Sequence, residues 1–187
     1  MRVSRPAALA LLAPLAAVPL GLAGRSVAPS RASHLAPIRS CGVERWTVKT
    51  LQDRPVLIPR KRTTVAALTS LPRPVGLPEW RLRFERHVFQ VVAPVTLIRP
   101  EDDQDLHVVL RKGRKHMIAE APAWSCTRKA KLYRRQQMAR ARQRVRICRR
   151  ARVTGVAFFD FKHGQTGVAP NAIELHPIVA FRCLTAN

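Results

Sequence analysis

The sequence places four carboxylates and an imidazole within seven positions of a chain that is otherwise short of acids: Glu101, Asp102, Asp103, Asp105 and His107. In a strand that begins near Asp105, alternation puts Asp105 and His107 on one face. There a carboxylate could orient the imidazole, or both groups could hold a metal ion. The alternative is an acidic turn that faces solvent and attracts neighbouring arginines.

A second group of polar residues lies in the stretch FFDFKHGQTGVAPNAIELHP, residues 158–177. Glu174 and His176 share one face of a predicted strand, and Asp160 and His163 precede the turn before it. We predict Glu174, His176 and His107 as catalytic candidates. The candidates for a divalent metal, which is the alternative to having no cofactor, are Asp105, His107, Asp160, His163, Glu174 and His176. These groups could instead cap the turn or pair with arginines.

A third feature is the basic stretch 127–152, in which twelve of the 26 residues are Lys or Arg and none is acidic. Its composition favours a surface helix with only a thin apolar stripe. The net charge of the whole chain is +23, which predicts attraction to polyanions that weakens as salt rises. The predicted polyanion-binding residues are Arg134, Arg135, Arg140, Arg142 and Arg144. A solvated helix whose arginines reflect composition alone is the other interpretation.

Short strands dominate the rest of the sequence. Alternating patterns predict strands at residues 45–51, at 81–98 with a break or bend at Pro94, at 152–161 and at 172–181. Residues 105–111 and 116–120 predict a hairpin around Gly113. The expected fold is mainly β: a small OB-like β-barrel, of the type that binds oligonucleotides or oligosaccharides, with one basic surface helix inserted before the last strands. A split barrel or a sandwich remains open.

The N-terminal residues predict export. Arg2 and Arg5 precede an apolar run that ends in small residues, so residues 1–23 are predicted to be a cleavable signal peptide, and no membrane span should remain after processing. A linker of low apolar content follows at 24–40, and 41–187 should form one domain. The expected location is secreted, periplasmic or in the cell envelope.

The four cysteines, Cys41, Cys126, Cys148 and Cys183, all lie after the predicted signal peptide. Because an exported chain meets an oxidising compartment, we expect two disulfides. Three pairings are open, of which Cys148 with Cys183 is favoured because each cysteine closes a predicted C-terminal element. A zinc site is disfavoured because no two cysteines have C-x-x-C spacing.

The segments VERWTVKT, EDDQDLHVVL, MIAE and FFDFKHGQTGVAPNAIELHP together resemble a family of uncharacterised exported bacterial proteins. The resemblance spans most of the chain after the signal peptide and implies export, but no activity. Members of this family carry glycine or another small residue where Gln104 stands, and a less basic segment in place of the arginine-rich one.

Three functions follow from these patterns. The leading one is a disulfide-stabilised binding module for an anionic polymer or ligand, such as nucleic acid or an acidic envelope polymer. The second is a metal-assisted hydrolase or nuclease that uses the Asp/His/Glu residues, and the third is a structural envelope protein without a ligand. The sequence contains no nucleophile elbow, P-loop, HExxH or dinucleotide-binding glycine motif.

Overall fold

The computed structural model describes residues 41–186. The predicted signal peptide and linker therefore lie outside the described residues. The secondary structure consists of α1 (Trp46–Lys49), β1 (Ile58–Arg62), α2 (Val65–Thr69), a 3-10 turn (Phe84–Arg86), β2 (His87–Pro100), β3 (Leu106–Lys112), β4 (Lys115–Ala121), a second 3-10 turn (Trp124–Thr127), α3 (Leu132–Arg144), β5 (Cys148–Phe159) and β6 (Ile173–Thr185).

Five of the strands close into a barrel. The sheet order is β1-β2-β3-β4-β6-β5, and β5 also pairs with β2. This last pairing closes strands β2, β3, β4, β6 and β5 into a ring, which leaves β1 outside it. The pair β4–β6 is parallel, whereas β2–β3, β3–β4, β2–β5 and β5–β6 are antiparallel. Helix α3 lies in the chain between β4 and β5. A five-stranded ring of this order, with a helix between its third and fourth strands, is an OB-like barrel, so the predicted fold class is confirmed.

Strand β2 serves two neighbours because it bends. Its first half pairs with β5 and its second half with β3, and both registers shift beside Val95. Pro94 immediately precedes this point and has no N–H to donate to a ladder, which suits a position where the strand changes partners. The predicted bend at Pro94 is thus confirmed, within one continuous strand.

Alternate positions along the strands fill the barrel. Val91 and Val95 of β2, Leu110 of β3, and Leu175 and Ile178 of β6 are buried in one apolar cluster. Helix α3 buries only Met138 and Ala141 along its length, as expected of a helix with a thin apolar stripe. The strand residues between the core positions therefore face outward, where the candidate site is found.

The strand predicted at residues 45–51 is wrong. These residues form α1 and its flanks, with left-handed backbone angles at Arg45 (φ 48°) and Leu51 (φ 59°). Alternation failed here because Arg45 is held by long-range contacts with Glu85 and Phe159 rather than by a neighbouring strand. The predicted basic helix is also shorter than its stretch, since α3 ends at Arg144 and β5 starts at Cys148.

Two disulfides link the elements. Cys148–Cys183 joins β5 to β6, as predicted, and Cys41–Cys126 joins the first described residue to the 3-10 turn after β4. The second bond fixes residues 41–51, which we call the covering segment, beside the barrel. Within residues 41–186, none of the helices is long and apolar enough to cross a bilayer.

Replacing Gly167 with alanine is expected to destabilise the fold by about 2–3 kcal/mol, because Gly167 has a φ of 88° and an added Cβ would lie 2.6 Å from Val109. Gly164 offers a matched control, since its φ is also positive (75°) but the space around it is open. Gly164→Ala should cost only about 1 kcal/mol. Urea unfolding with the disulfides intact would measure both, and equal losses would contradict a close approach of Gly167 to β3.

Candidate functional site

Ionisable side chains converge on the outer face of β3, β4 and β6. His107, Glu120, Glu174 and His176 occupy strand positions that alternate with core residues, and all are buried. The hairpin register places His107 directly opposite Glu120, and the parallel pairing of β4 with β6 brings Glu174 beside Ile118. We call these four residues, together with Asp105, Asp160 and Lys49, the buried ionic cluster.

The covering segment and the β5–β6 loop close over this face. Lys49 of α1 forms an ion pair with Asp160 (Nζ–Oδ2, 2.8 Å). The guanidinium of Arg45 lies 4.7 Å from the centre of the Phe158 ring. From the loop, Gly167 approaches the side chain of Val109. These contacts explain why polar residues on an outer barrel face are nevertheless buried.

His176 lies at the centre of the cluster, with carboxylates on both sides of its ring. Its Nε2 is 3.0 Å from Asp105 Oδ2. Its Nδ1 is 3.1 Å from Glu174 Oε1 and 3.2 Å from Glu120 Oε2. Burial alone would lower the pKa of His176, but the three carboxylates raise it well above its ordinary value. His176 is therefore a buried, positively charged imidazolium unless another cation neutralises these carboxylates.

His107 is linked to the same carboxylates through Glu120. Its Nδ1 lies 3.1 Å from Glu120 Oε1, and its Nε2 lies 2.8 Å from the carbonyl of Thr166 in the β5–β6 loop. Burial opposes the charged form, but the contacts with Glu120 and Thr166 raise the pKa of His107. For Glu120, burial is outweighed by the two imidazoles and by Lys49, which hold its pKa well below the ordinary value. Glu120 thus stays ionised between the two histidines.

The other carboxylates of the cluster are shifted in the opposite direction. Burial raises the pKa of Asp105 to about 6, against the effect of His176. Burial, together with the charges of Glu120 and Asp160, raises the pKa of Glu174 to about 7. Burial would lower the pKa of Lys49, but the attraction of Glu174 and Asp160 raises it instead. Buried groups with pKa values displaced in both directions are typical of functional sites.

Four of the six predicted metal or catalytic candidates meet directly or through Glu120: Asp105, His107, Glu174 and His176. Asp160 joins them through Lys49. His163 does not, because it lies on the surface with its ring 2.8 Å from Glu44 and its side chain 43% exposed.

Sequence reasoning missed Glu120 and Lys49. The predicted hairpin contained the signal for Glu120, since counting its register outward from Gly113 pairs position 107 with 120. Lys49 carries no such signal, because the alternating pattern of residues 45–51 predicts a strand there.

A second buried ion pair anchors the covering segment. Arg45 and Glu85 are both fully buried and form two hydrogen bonds of 2.8 and 2.7 Å. Arg45 also donates to the carbonyls of Pro78, Trp80 and Phe159. Glu85 in turn accepts the backbone N–H groups of Leu82 and Phe159. Both charged groups are thus well supplied with hydrogen bonds, as a buried pair requires.

The predicted polyanion-binding arginines of α3 differ in their surroundings. Arg142 donates to the carbonyl of Ala121, and burial lowers its pKa. Arg134 lies over the ring of Tyr133 (4.8 Å), and Arg135 lies over Trp124 (3.8 Å). Arg140 and Arg144 are exposed. Of these residues, only Arg144 lines the groove described next.

This groove, of about 480 Å³, lies between the end of α3 and β6, and we call it the cationic groove. It is lined by Arg144, Arg146, Phe181, Arg182 and Cys183. Arg152 of β5 pairs directly with Arg182 in the sheet, so two guanidinium-bearing residues lie side by side on one face. The ion pairs found among the described residues include none of these four arginines.

The fold and the two sites define an OB-like barrel protein with a covered ionic cluster and an open cationic groove. No protein-family model matches the chain, and no curated protein matches it.

Comparison with solved structures finds partial likenesses of low identity. One, assigned as an aspartyl-tRNA synthetase from Leishmania major Friedlin, is 15% identical over 68% of this chain and 21% of its own, with a TM-score of 0.45. An asparaginyl-tRNA synthetase and an aspartyl-tRNA synthetase from Entamoeba histolytica are 11% and 14% identical, with TM-scores of 0.37 and 0.39. Each of these two matches covers 71% of this chain, and they span 25% and 27% of the synthetases. The functional proposals therefore come from this chain's own residues.

Proposed function

We propose that this protein is an exported binding module for an anionic polymer, and that the polymer binds along the cationic groove. The single observation that carries the proposal is that the three groove arginines, with Arg152 beside them, have no acidic partner among residues 41–186. Arginine presents a rigid fork of N–H donors that fits phosphate and carboxylate groups.

The pairing of Arg152 with Arg182 supports this proposal. Like charges that face each other across neighbouring strands destabilise a sheet. The Nε of Arg152 is also buried without a hydrogen-bond partner in the described part of the chain. A bound polyanion would relieve both costs, because each phosphate or carboxylate supplies a negative charge and hydrogen-bond acceptors.

The location of the module outside the cytoplasm belongs to the same proposal. Two disulfides among four cysteines are characteristic of an oxidising compartment. The predicted signal peptide at residues 1–23 agrees with this location.

Charge reversal in the groove tests the proposal. The double variant Arg146→Glu, Arg182→Glu should bind a fluorescent single-stranded 20-nucleotide DNA about 10- to 100-fold more weakly than the unchanged protein at low salt. The slope of log affinity against log salt should fall in magnitude by about 1.4, or 0.7 for each lost phosphate contact. Fluorescence anisotropy over a salt series measures the affinity and its dependence on salt. Competition with unlabelled polyphosphate tests whether a second polyanion binds the same site.

The matched control is Arg73→Glu, Arg83→Glu, which makes the same change in net charge at two exposed positions outside the groove. It should weaken binding only a few-fold, through the general field of the protein. Equal losses for the two double variants would mean that net charge, rather than the groove, attracts the polymer. Absence of binding in the unchanged protein would favour the structural envelope reading.

The metal-assisted hydrolase remains the second candidate, favoured by the convergence of Asp105, Glu174 and His176. It ranks second because the side chains of this cluster are buried beneath the covering segment, where a polymer does not reach them. Cleavage of the same DNA that requires a divalent metal and disappears in Glu174→Gln would reverse the ranking.

A further inference from the structure

Three residues of the buried ionic cluster present metal-ligating atoms to one another. One atom each from Asp105, Glu120 and His176 lies within 4.8 Å of the other two, and all three residues are buried. Asp105 immediately precedes β3, Glu120 lies on β4, and His176 lies on β6. Three different parts of the barrel therefore supply the three groups.

The hydrogen bonding of Asp105 is incomplete. Asp105 is fully buried, its Oδ2 contacts only His176 Nε2, and its Oδ1 has no hydrogen-bond partner among the described residues. His176 Nε2 lies 3.0 Å from Asp105 Oδ2 and has no other polar partner among the described residues. Buried polar atoms are nearly always satisfied, so exceptions of this kind call for a missing partner.

The other side of the imidazole is oriented as it would be in a metal ligand. His176 Nδ1 is hydrogen-bonded to Glu174 Oε1 at 3.1 Å, and Glu120 Oε2 lies 3.2 Å from the same nitrogen. A carboxylate that accepts the Nδ1–H proton leaves the lone pair of Nε2 available to a metal, and histidine ligands in metalloproteins are commonly held in this way. Nε2 of His176 and the oxygens of Asp105 have no polar partner outside this pair among the described residues, and they are the atoms a metal would use.

The charges point in the same direction. The cluster contains four carboxylates, while its cations are one ammonium and up to two imidazoliums: Asp105, Glu120, Asp160 and Glu174 against Lys49, His107 and His176. A metal bound at Nε2 would take the place of the proton on His176 and bring two positive charges. Buried carboxylates without sufficient positive charge are unfavourable, so a divalent ion would stabilise this arrangement.

We propose that Asp105 and Nε2 of His176 bind one divalent transition-metal ion of the Zn²⁺ or Mn²⁺ class, that the carboxylate of Glu120 turns from Nδ1 to become the third ligand, and that Glu174 positions the imidazole. One nitrogen and two carboxylate ligands suit these ions better than the harder Mg²⁺ or Ca²⁺. The ion would join β3, β4 and β6 beneath the covering segment. This site shares no residue with the cationic groove, so its failure and that of polymer binding are separate results.

A second group of potential ligands, Glu44, Asp160 and His163, serves as the control rather than the site. His163 is already paired with Glu44 at 2.8 Å, and Asp160 is paired with Lys49 at 2.8 Å. The side chains of Glu44 and His163 are also close to half exposed. This second group therefore lacks the unsatisfied buried atoms found at Asp105 and His176.

The experiment loads the metal during folding, because the ligands are buried in the folded protein. The protein is unfolded in guanidinium chloride with EDTA, its disulfides intact, and refolded without chelator in the presence or absence of Zn²⁺. After gel filtration, elemental analysis should find about one tightly held Zn²⁺ per chain, and thermal unfolding should occur at a higher temperature than in the metal-free protein. A refolded protein that retains no Zn²⁺ overturns the proposal.

Variants then locate the ion. Asp105→Asn and Glu120→Gln keep the size of each side chain and should lose the retained Zn²⁺, whereas His163→Ala should keep it. Zn²⁺ that is lost from His163→Ala, or kept by both cluster variants, places the ion elsewhere and overturns the proposal. Should the cluster variants fail to fold, the unchanged protein is refolded with Co²⁺ and studied by proton NMR. One strongly shifted N–H signal is expected from the imidazole Nδ1–H of His176. Its absence contradicts ligation by His176.

Discussion

Replacement of Arg45 by methionine should lower the free energy of unfolding by about 3–5 kcal/mol, because it leaves the carboxylate of Glu85 buried without its cation. Both members of the pair are fully buried. Arg45 also satisfies three backbone carbonyls that would lose their donor. Urea unfolding followed by circular dichroism, with the disulfides intact, would measure the loss.

Two further variants test the physical reason for this effect. Arg99→Met breaks an ion pair that is far more exposed (47% and 26%) and should cost less than about 1 kcal/mol. Glu85→Gln added to Arg45→Met should recover part of the stability, because the amide oxygen can still accept N–H donors without carrying a charge. If Arg45→Met costs no more than Arg99→Met, the covering segment does not depend on the buried pair.

In the presence of EDTA, the protein should be most stable near pH 4 and lose on the order of 3–4 kcal/mol between pH 5 and pH 8. Burial raises the pKa of Asp105 to about 6 and that of Glu174 to about 7. In the unfolded chain both carboxyls have pKa values near 4. At a pH between about 4 and the raised pKa values, the unfolded chain has therefore lost protons that the folded protein still holds, so stability falls as pH rises.

The histidines and Glu120 complete this profile. The raised pKa of His176 adds to the loss above about pH 6.5, because the unfolded imidazole releases its proton first. The lowered pKa of Glu120 acts in the opposite direction, but only as the pH falls below its ordinary value of about 4.5. Its contribution therefore sets the acidic side of the maximum and does not offset the decline above pH 5.

Unfolding in urea at a series of pH values measures this dependence. Glu174→Gln removes one of the two raised carboxyls and should flatten the decline between pH 5 and pH 8. Glu79→Gln, at an exposed glutamate, should leave the slope unchanged. A stability that rises from pH 5 to pH 8 in EDTA would contradict the buried positions of Asp105 and Glu174.

The parts of the fold that depend on local pattern could be predicted from the sequence. Alternation and Gly113 predicted the β3–β4 hairpin, and Pro94 predicted the bend in β2. The placement of Asp105 and His107 near Glu174 and His176 was only a hypothesis, because it depends on the parallel pairing of β4 with β6. These strands are separated by α3 and β5, and no local signal fixes their register.

The covering segment could not be predicted for a related reason. Residues 45–51 alternate like a strand, but α1 forms there because Arg45 and Lys49 reach partners far along the chain. Their role in the site was therefore invisible from the pattern, even though Glu85 and Asp160 are conspicuous in a chain with only 11 acidic residues.

The separation of those partners along the chain has a consequence for how the protein is made. Arg45 and the carbonyl of Phe159 that it binds are 114 residues apart, and Cys41 bonds to a cysteine 85 residues further on. The covering segment is synthesised early, but it cannot form these contacts until its partners, which lie much later in the chain, have been synthesised. Contacts between such distant positions slow folding and leave the unfinished barrel exposed to aggregation. Folding of this chain should therefore need low protein concentration or chaperones until β5 has joined the barrel.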